Sequence, residues 1–241
     1  MQHIMGKVRA ALDQYEMLQS GDHLAVGVSG GKDSLVLLCA LAQLKEYYPK
    51  KFQLTALTAD PCFGGKETDY SLIASLCRDL QIPYFIRTTN LGTVIFEERQ
   101  EKNPCSLCAR MRRGILHNMA LEAGCNKLAL GHHFDDAVQT FFMNLFYGGR
   151  LGCFSPVSYL SRKKLYLIRP LIFCEEKEIA SAARRHDLPI IKSACPMDGI
   201  TCRSQTDQLI TGLEKEFPDL RQKVMGALQR ARLDGWGKPE P

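Results

Sequence analysis

Apolar positions along the chain fall into two alternating kinds of run. Short continuous ones, 23–29 (HLAVGVS), 53–60 (QLTALTAD), 83–89 (PYFIRTT) and 127–132 (KLALGH), have the length of buried strands. Between them lie longer runs in which apolar residues return every three or four positions: 33–48, 66–81, 109–124 and 134–149. The last two end in glycines, which suit a helix C-terminus. An extended segment LYLIRPL (165–171) comes next, then a helix over about 175–187, a short PIIK (189–192), and two polar helices over 204–216 and 218–233. Strands separated by helices predict an α/β fold: a doubly wound, mainly parallel sheet flanked by helices, with helical N- and C-terminal extensions. The chain reads as one domain, with an N-terminal helix over 1–19, a core over about 20–190, a cysteine loop and helices over 190–235, and a frayed tail over 236–241. Trp236 falls in that tail and receives no role. In such sheets ligands bind beyond the carboxyl ends of the strands. Ser29, Asp60, Thr88 to Asn90 and Gly131 all stand at those ends.

Composition narrows the class without naming it. The 241 residues are 45% hydrophobic and 24% charged, as in an ordinary globular protein. No apolar run approaches the ~20 residues that span a bilayer, and the first residues lack the apolar core of a secretory signal, so a cytoplasmic location is expected. The net charge of +5 neither demands nor excludes a nucleic-acid partner. Basic residues do cluster, at Arg110, Arg112 and Arg113, at Arg162, Lys163 and Lys164, and at Arg184 and Arg185. Ten cysteines are many for this length, and in a reducing compartment their spacing matters more than their number. Cys39, Cys77, Cys125 and Cys174 sit among apolar neighbours and read as packing residues. Cys62 and Cys153 lie in loops. Phe141, Phe142, Phe146 and Tyr147 partly follow helical spacing and read as core.

The candidate chemistry begins at SGGKDS (29–34), between the first strand and its helix. The turn has neither Walker-A nor G-x-G-x-x-G spacing, yet its physics is that of an anion site. Gly30 and Gly31 let the backbone approach an anion, Lys32 adds charge, and Ser34 lies in the first helical turn, whose N–H groups are free. At LGHHFDD (130–136), Gly131 permits close approach. His132 is expected to touch nucleotide, and Asp135 and Asp136 open a helix where they can cap it or hold Mg²⁺. Cys105 and Cys108 form a C-x2-C before a basic helix, a spacing that chelates a metal, holds an iron–sulfur cluster or forms a redox pair. Cys195 and Cys202 supply further thiols. Four cysteines can close a zinc site. Three on an iron–sulfur cluster leave one iron open.

SGGKDS resembles the signature of the PP-loop ATP pyrophosphatases. With CSLCARMRRG (105–114), LALGHHFDDAVQTFFMNLFYGGRLG (128–152), IRPLIFCEEKEI (168–179) and a late cysteine in order, the chain resembles the tRNA 2-thiocytidine synthetase family over roughly residues 20 to 205. The resemblance implies ATP cleaved between its α and β phosphates, with Mg²⁺, and AMP transferred to a tRNA base carbonyl. Sulfur would then displace AMP, thiolating C2 of cytidine 32. It implies a 4Fe-4S cluster on Cys105, Cys108 and Cys195, the last favoured over Cys202 because Cys-Pro pairs occur beside cluster cysteines. Ser29, Gly30, Gly31, Lys32, Asp33, Ser34, Asp60, Gly131, His132 and Asp136 would hold nucleotide, Asp33 and Asp136 also Mg²⁺, with Lys32, Asp33 and the three cysteines catalytic. The basic clusters at 110–113 and 162–164 would contact tRNA phosphates. A cysteine desulfurase or free sulfide would donate sulfur, and a homodimer is expected. Three rivals remain: a zinc-stabilised nucleotide-binding module that moves no sulfur, sulfur transfer to another tRNA base or a small molecule, and an amide-forming PP-loop ligase, which leaves the paired cysteines without a role.

Overall fold

The computed structural model describes residues 1–99, 104–197, 199 and 201–237. Six strands form one sheet: β1 (His23–Gly27), β2 (Gln53–Asp60), β3 (Tyr84–Thr88), β4 (Lys127–Ala129), β5 (Val157–Leu160) and β6 (Leu165–Ile168), in the order β3-β2-β1-β4-β6-β5. Every pairing is parallel except that of β5 with β6. Val26 stands opposite Ala56 on one side and Ala129 on the other, so β1 is central. It is also where the winding reverses, because β2 lies to one side and β4 to the other. A crevice at such a switch point is where doubly wound sheets bind ligands.

The helices are α1 (Gln2–Gln14), α2 (Lys32–Tyr47), α3 (Ser71–Asp79), α4 (Leu91–Thr93), α5 (Pro104–Glu122), α6 (Phe134–Gly148), α7 (Glu176–Arg185), α8 (Cys202–Glu214) and α9 (Leu220–Arg230). The expected doubly wound sheet is the one observed. Residues 34–41 of α2 are buried without a break, which places this helix inside the fold rather than on its surface. It packs against α1 and α7 as well as β1 and β2. Cys39, Cys77, Cys125 and Cys174 are buried as expected, and Cys62 is buried too. No helix among the described residues is long and apolar enough to cross a membrane.

Four expectations need correction. The hairpin strand β5 escaped the pattern because Val157–Leu160 alternates weakly, and only pairing with β6 makes it a strand. The helix expected over 109–124 starts at Pro104, so Cys105 and Cys108 lie inside α5 rather than before it. Phe142 joins the core, but Phe146 and Tyr147 are exposed at the end of α6. The tail is not frayed at Trp236, which is fully buried. Its Nε1–H donates to the Phe154 carbonyl at 2.7 Å, and the Trp236 carbonyl accepts the Tyr15 hydroxyl at 3.0 Å. Beside it Asp234 accepts the Cys153 N–H at 2.7 Å. A large aromatic with a buried N–H needs both a pocket and an acceptor, and the loop before β5 supplies them. The rest of the expected tail, 238–241, lies outside the described residues.

Candidate functional site

Beyond Gly27 the chain turns through Val28 to Gly31 into α2. Gly30 takes φ +86°, a left-handed conformation open to glycine, and a Cβ there would meet Ile191 at 3.1 Å. The turn is laced from within: the Ser29 N–H donates to Ser34 Oγ at 3.1 Å, and Ser34 Oγ–H donates to the Gly31 carbonyl at 2.9 Å. No side chain caps α2, and Asp33 is the acidic residue of its first turn, facing the crevice. Across the switch point, Gly131 lies so close to this helix that a Cβ would stand 3.2 Å from the Ser34 nitrogen and 3.3 Å from the Asp33 carbonyl carbon. Glycine is needed here for proximity rather than for its torsion angles.

A cavity of about 480 Å³ opens between these ends, a size that suits a nucleotide. Ser29, Asp33, Ser34, Gly131, His132 and Asp136 line it. Arg112 and Arg113 from α5, Arg169 after β6 and Arg203 from α8 line it as well. Four guanidinium groups against two carboxylates make the cavity a receptor for anions. His133 is the N-cap residue of α6, and its N–H donates to Asp136 Oδ2 at 3.0 Å. Asp136 is drawn below the usual carboxylate range: burial opposes its charge, but His133 and Arg203 outweigh it. The Arg203 contact is 2.8 Å. Asp33 goes the other way. Burial lifts its pKa and Asp136 adds to this, while His133 and Lys32 offset only part. Its Oδ1 is buried without a hydrogen-bond partner. His132 is pushed down to about 4 by burial and by Arg169, so it is neutral at physiological pH.

Of the residues expected to hold nucleotide, Gly30, Gly31, Lys32 and Asp60 do not line the cavity. Lys32 pairs with Glu176 at 2.9 Å and with Asp33 at 3.3 Å, which turns its ammonium toward the start of α7. Asp60 is almost wholly buried, and its carboxylate accepts the N–H groups of Cys62 and Thr68 and the Thr68 hydroxyl. That is turn chemistry at the end of β2. The basic cluster Arg162 to Lys164 sits in the β5–β6 turn, at the amino end of β6 and so at the end of the sheet opposite the cavity. Arg184 and Arg185, at the far end of α7 from Glu176, are remote in the same sense.

The cysteines approach from α5. Cys105 and Cys108 are three residues apart, on one helix face. Arg112, one turn beyond Cys108, reaches the cavity. Burial raises the Cys108 pKa, Arg112 draws it down, and Cys195 and Cys105 raise it further. Cys105 is raised by burial, then by Cys195, then by Cys202. Cys195 bears electrostatically on both helical thiols, and Cys202, the exposed first residue of α8, bears on Cys105. All four are free thiols. Among the described residues no three His, Cys, Asp or Glu side chains are gathered into a set that could hold a metal ion.

Arg169, Arg203 and Phe154 were not singled out in the sequence. Arg169 carried one signal, a lone charge after the apolar LYLI of β6. Arg203 carried none beyond its place after Cys202.

Comparison with known proteins was made against this geometry. The PP-loop domain family matches residues 2–196. A tRNA-cytidine(32) 2-sulfurtransferase of Geobacter sulfurreducens is 38% identical over 93% of this chain and 88% of its own length. One of Dechloromonas aromatica is 37% identical over 94% of this chain and 79% of its own. Among solved structures, the U34-tRNA thiolase NcsA of Methanococcus maripaludis, described with its [4Fe-4S] cluster, superposes with a TM-score of 0.77. Its identity is 29%, over 95% of this chain and 78% of that one.

Proposed function

We propose that this chain, which belongs to the PP-loop family and within it to the tRNA-cytidine(32) 2-sulfurtransferases, is an ATP-dependent enzyme that thiolates C2 of cytidine 32 in tRNA. The observation that carries the reading is Arg112. It lines the anion cavity and stands one helical turn from Cys108, so nucleotide and sulfur chemistry share one helix.

The division of labour follows from the leaving group. A pyrimidine carbonyl oxygen leaves poorly, and once joined to AMP it leaves well. The turn at Ser29 to Ser34 and the uncapped start of α2 would hold the phosphates, with the dipole stabilising charge as pyrophosphate departs. The cavity arginines would neutralise what the helix does not. Asp33 and Asp136 are the carboxylates for Mg²⁺. Asp33 Oδ1 makes no hydrogen bond and faces the Lys32 ammonium at 3.3 Å, so it would take a hard cation once Lys32 turns away, and two carboxylates with phosphate oxygens are a usual Mg²⁺ shell. Lys32, held by Glu176, would act on phosphate only after exchanging that partner.

For the cluster, the donor set fits by its chemistry: soft thiols, two of them on one helix face. Cys105, Cys108 and Cys195 would hold it, and its open iron would supply bound sulfide for attack on the activated base. Arg112 and Arg113 would bring the RNA backbone to this face. The same proposal includes a cytoplasmic homodimer and a sulfur donor that is a cysteine desulfurase or free sulfide.

The test is anaerobic reconstitution, with metal analysis beside turnover of ATP, sulfide and unmodified tRNA. The expected result is about four iron and four sulfide per chain, with AMP, pyrophosphate and 2-thiocytidine formed together. One zinc per chain with no sulfide and no thionucleoside would refute it.

A further inference from the structure

Arg169 presents a charge without an answer. Its side chain is about nineteen-twentieths buried, at 5% exposure in the cavity wall. Nη1 donates to the Ser155 carbonyl and, at 3.3 Å, to Ser158 Oγ, both neutral acceptors. Nε is buried without a partner. The guanidinium lies 5.1 Å from the Phe154 ring centroid. No carboxylate stands within ion-pair distance among the described residues. The charged neighbour it does feel is Arg113, which together with burial pulls its pKa down to about 10. An isolated buried cation is costly, and folds keep one when a ligand supplies the counter-charge.

The surroundings hold this cation in place. Phe154 packs against the guanidinium on one hand and against His132, 5.1 Å between ring centroids, on the other. Behind Phe154 stands the buried Trp236, 6.0 Å between centroids and bonded to the Phe154 carbonyl. Asp234 fixes the preceding Cys153 N–H. This strap lies beyond residue 196, where the PP-loop match ends. A rigidly supported, uncompensated guanidinium is a pre-organised receptor.

We propose that Arg169 is a phosphate receptor of the cavity, additional to the Ser29–Ser34 turn and held in position by the C-terminal strap through Phe154. The assignment rests on the nucleotide-and-RNA reading of the site. A phosphate can reach it from either substrate: a nucleotide phosphate of ATP, or a backbone phosphate of the tRNA loop.

The experiment measures equilibrium binding of a non-hydrolysable ATP analogue and, separately, of an anticodon stem–loop RNA, to wild type, Arg169→Met and Arg169→Lys, with melting curves for each. Methionine removes the charge at similar volume, so the melting temperature should stay level or rise. Affinity for one ligand should fall roughly 10- to 100-fold, the usual cost of a lost charge-assisted contact. Loss confined to the ATP analogue assigns a nucleotide phosphate. Loss confined to RNA, with a salt slope shallower by about 0.7, assigns a backbone phosphate. Lysine, a point charge without the fork, should fall between the two. Affinities within twofold of wild type for both ligands would overturn the receptor alone. So would a Met variant that melts several degrees lower yet binds both ligands normally when folded. Should Met fail to fold, a Lys variant with wild-type affinity for both ligands would overturn it too. A wild type that binds neither ligand would overturn both the receptor and the thiolation reading.

Discussion

Gly131→Ala is the sharpest perturbation of the site, because it adds one methyl group and asks nothing else of the backbone. The new Cβ would stand 3.2 Å from the Ser34 nitrogen and 3.3 Å from the Asp33 carbonyl carbon. Both are main-chain atoms of the first turn of α2, so no flexible side chain can swing aside. Either the segment after β4 or the start of α2 must retreat by a few tenths of an ångström. Overpacking of this kind costs about 1–3 kcal/mol, or a melting temperature lower by about 3–10 °C in a domain of this size. The displaced turn is the one proposed to hold phosphate, so nucleotide affinity should fall about tenfold, beyond what stability alone requires. Calorimetric titration with an ATP analogue, beside thermal melting, reads both. The control is Gly114→Ala, on an open face of α5 with nothing within 4 Å of the added carbon. It should stabilise by about 0.5–1 kcal/mol and leave affinity untouched. A Gly131→Ala protein that melts within a degree of wild type and binds nucleotide equally well would refute the argument that close approach explains this glycine.

The remaining expectations concern the thiols, the acid limb and the strap. Cys105→Ala and Cys195→Ala should each lose iron and acid-labile sulfide while Cys202→Ala keeps them. Loss in the Cys202 variant alone would move the third ligand. His132 holds its folded pKa near 4, below its unfolded value of about 6.5, so unfolding takes up a proton and stability should decline as pH falls from 6.5 toward 4. His132→Gln should flatten that part of a melting-temperature profile. Glu178 is held to about 2: burial opposes its charge, but Lys7, the Glu175 N–H and His3 outweigh it. Its contribution should be complete above about pH 4.5 and fade toward 2, and Glu178→Gln should remove that slope in acid titrations followed by circular dichroism. Trp236→Ala should cost about 3–5 kcal/mol, with Trp236→Phe much milder. Phe154→Leu should weaken binding of the ligand that Arg169 proves to hold, as Trp236→Phe does, and the double variant no more than either alone.

The sheet and the place of the site were legible because they rest on local signals. Strand and helix periodicities differ, glycines mark the turns, and parallel topology sends ligands to one end of the strands. What stayed hidden depends on which distant segments meet. Nothing in SGGKDS reveals that Glu176, arriving more than 140 residues later, claims the ammonium of Lys32. Nor does a cluster such as Arg162 to Lys164 show which end of a strand it will occupy until the β5–β6 hairpin is known. Asp60 was placed rightly at a strand end, yet its carboxylate is consumed by Cys62 and Thr68, an outcome set by the loop that follows. Arg169 and Trp236 are the opposite case. A lone charge in an apolar run and a lone tryptophan among polar residues look accidental in a string and purposeful in a fold.

The strap also has a consequence in time. Translation makes the phosphate turn early, the thiol helix next and Arg203 later, and Trp236 follows by roughly 33 residues. At about 5–20 residues per second, that is an interval of some seconds. During it a nascent chain owns every charged group of the cavity but not the tryptophan that steadies the wall between His132 and Arg169. On the proposal for Arg169, competence to hold phosphate there is tied to synthesis through Trp236. A product broken off shortly before that residue would keep the sheet, the glycines and the cysteines, and still be a poor vessel for that phosphate.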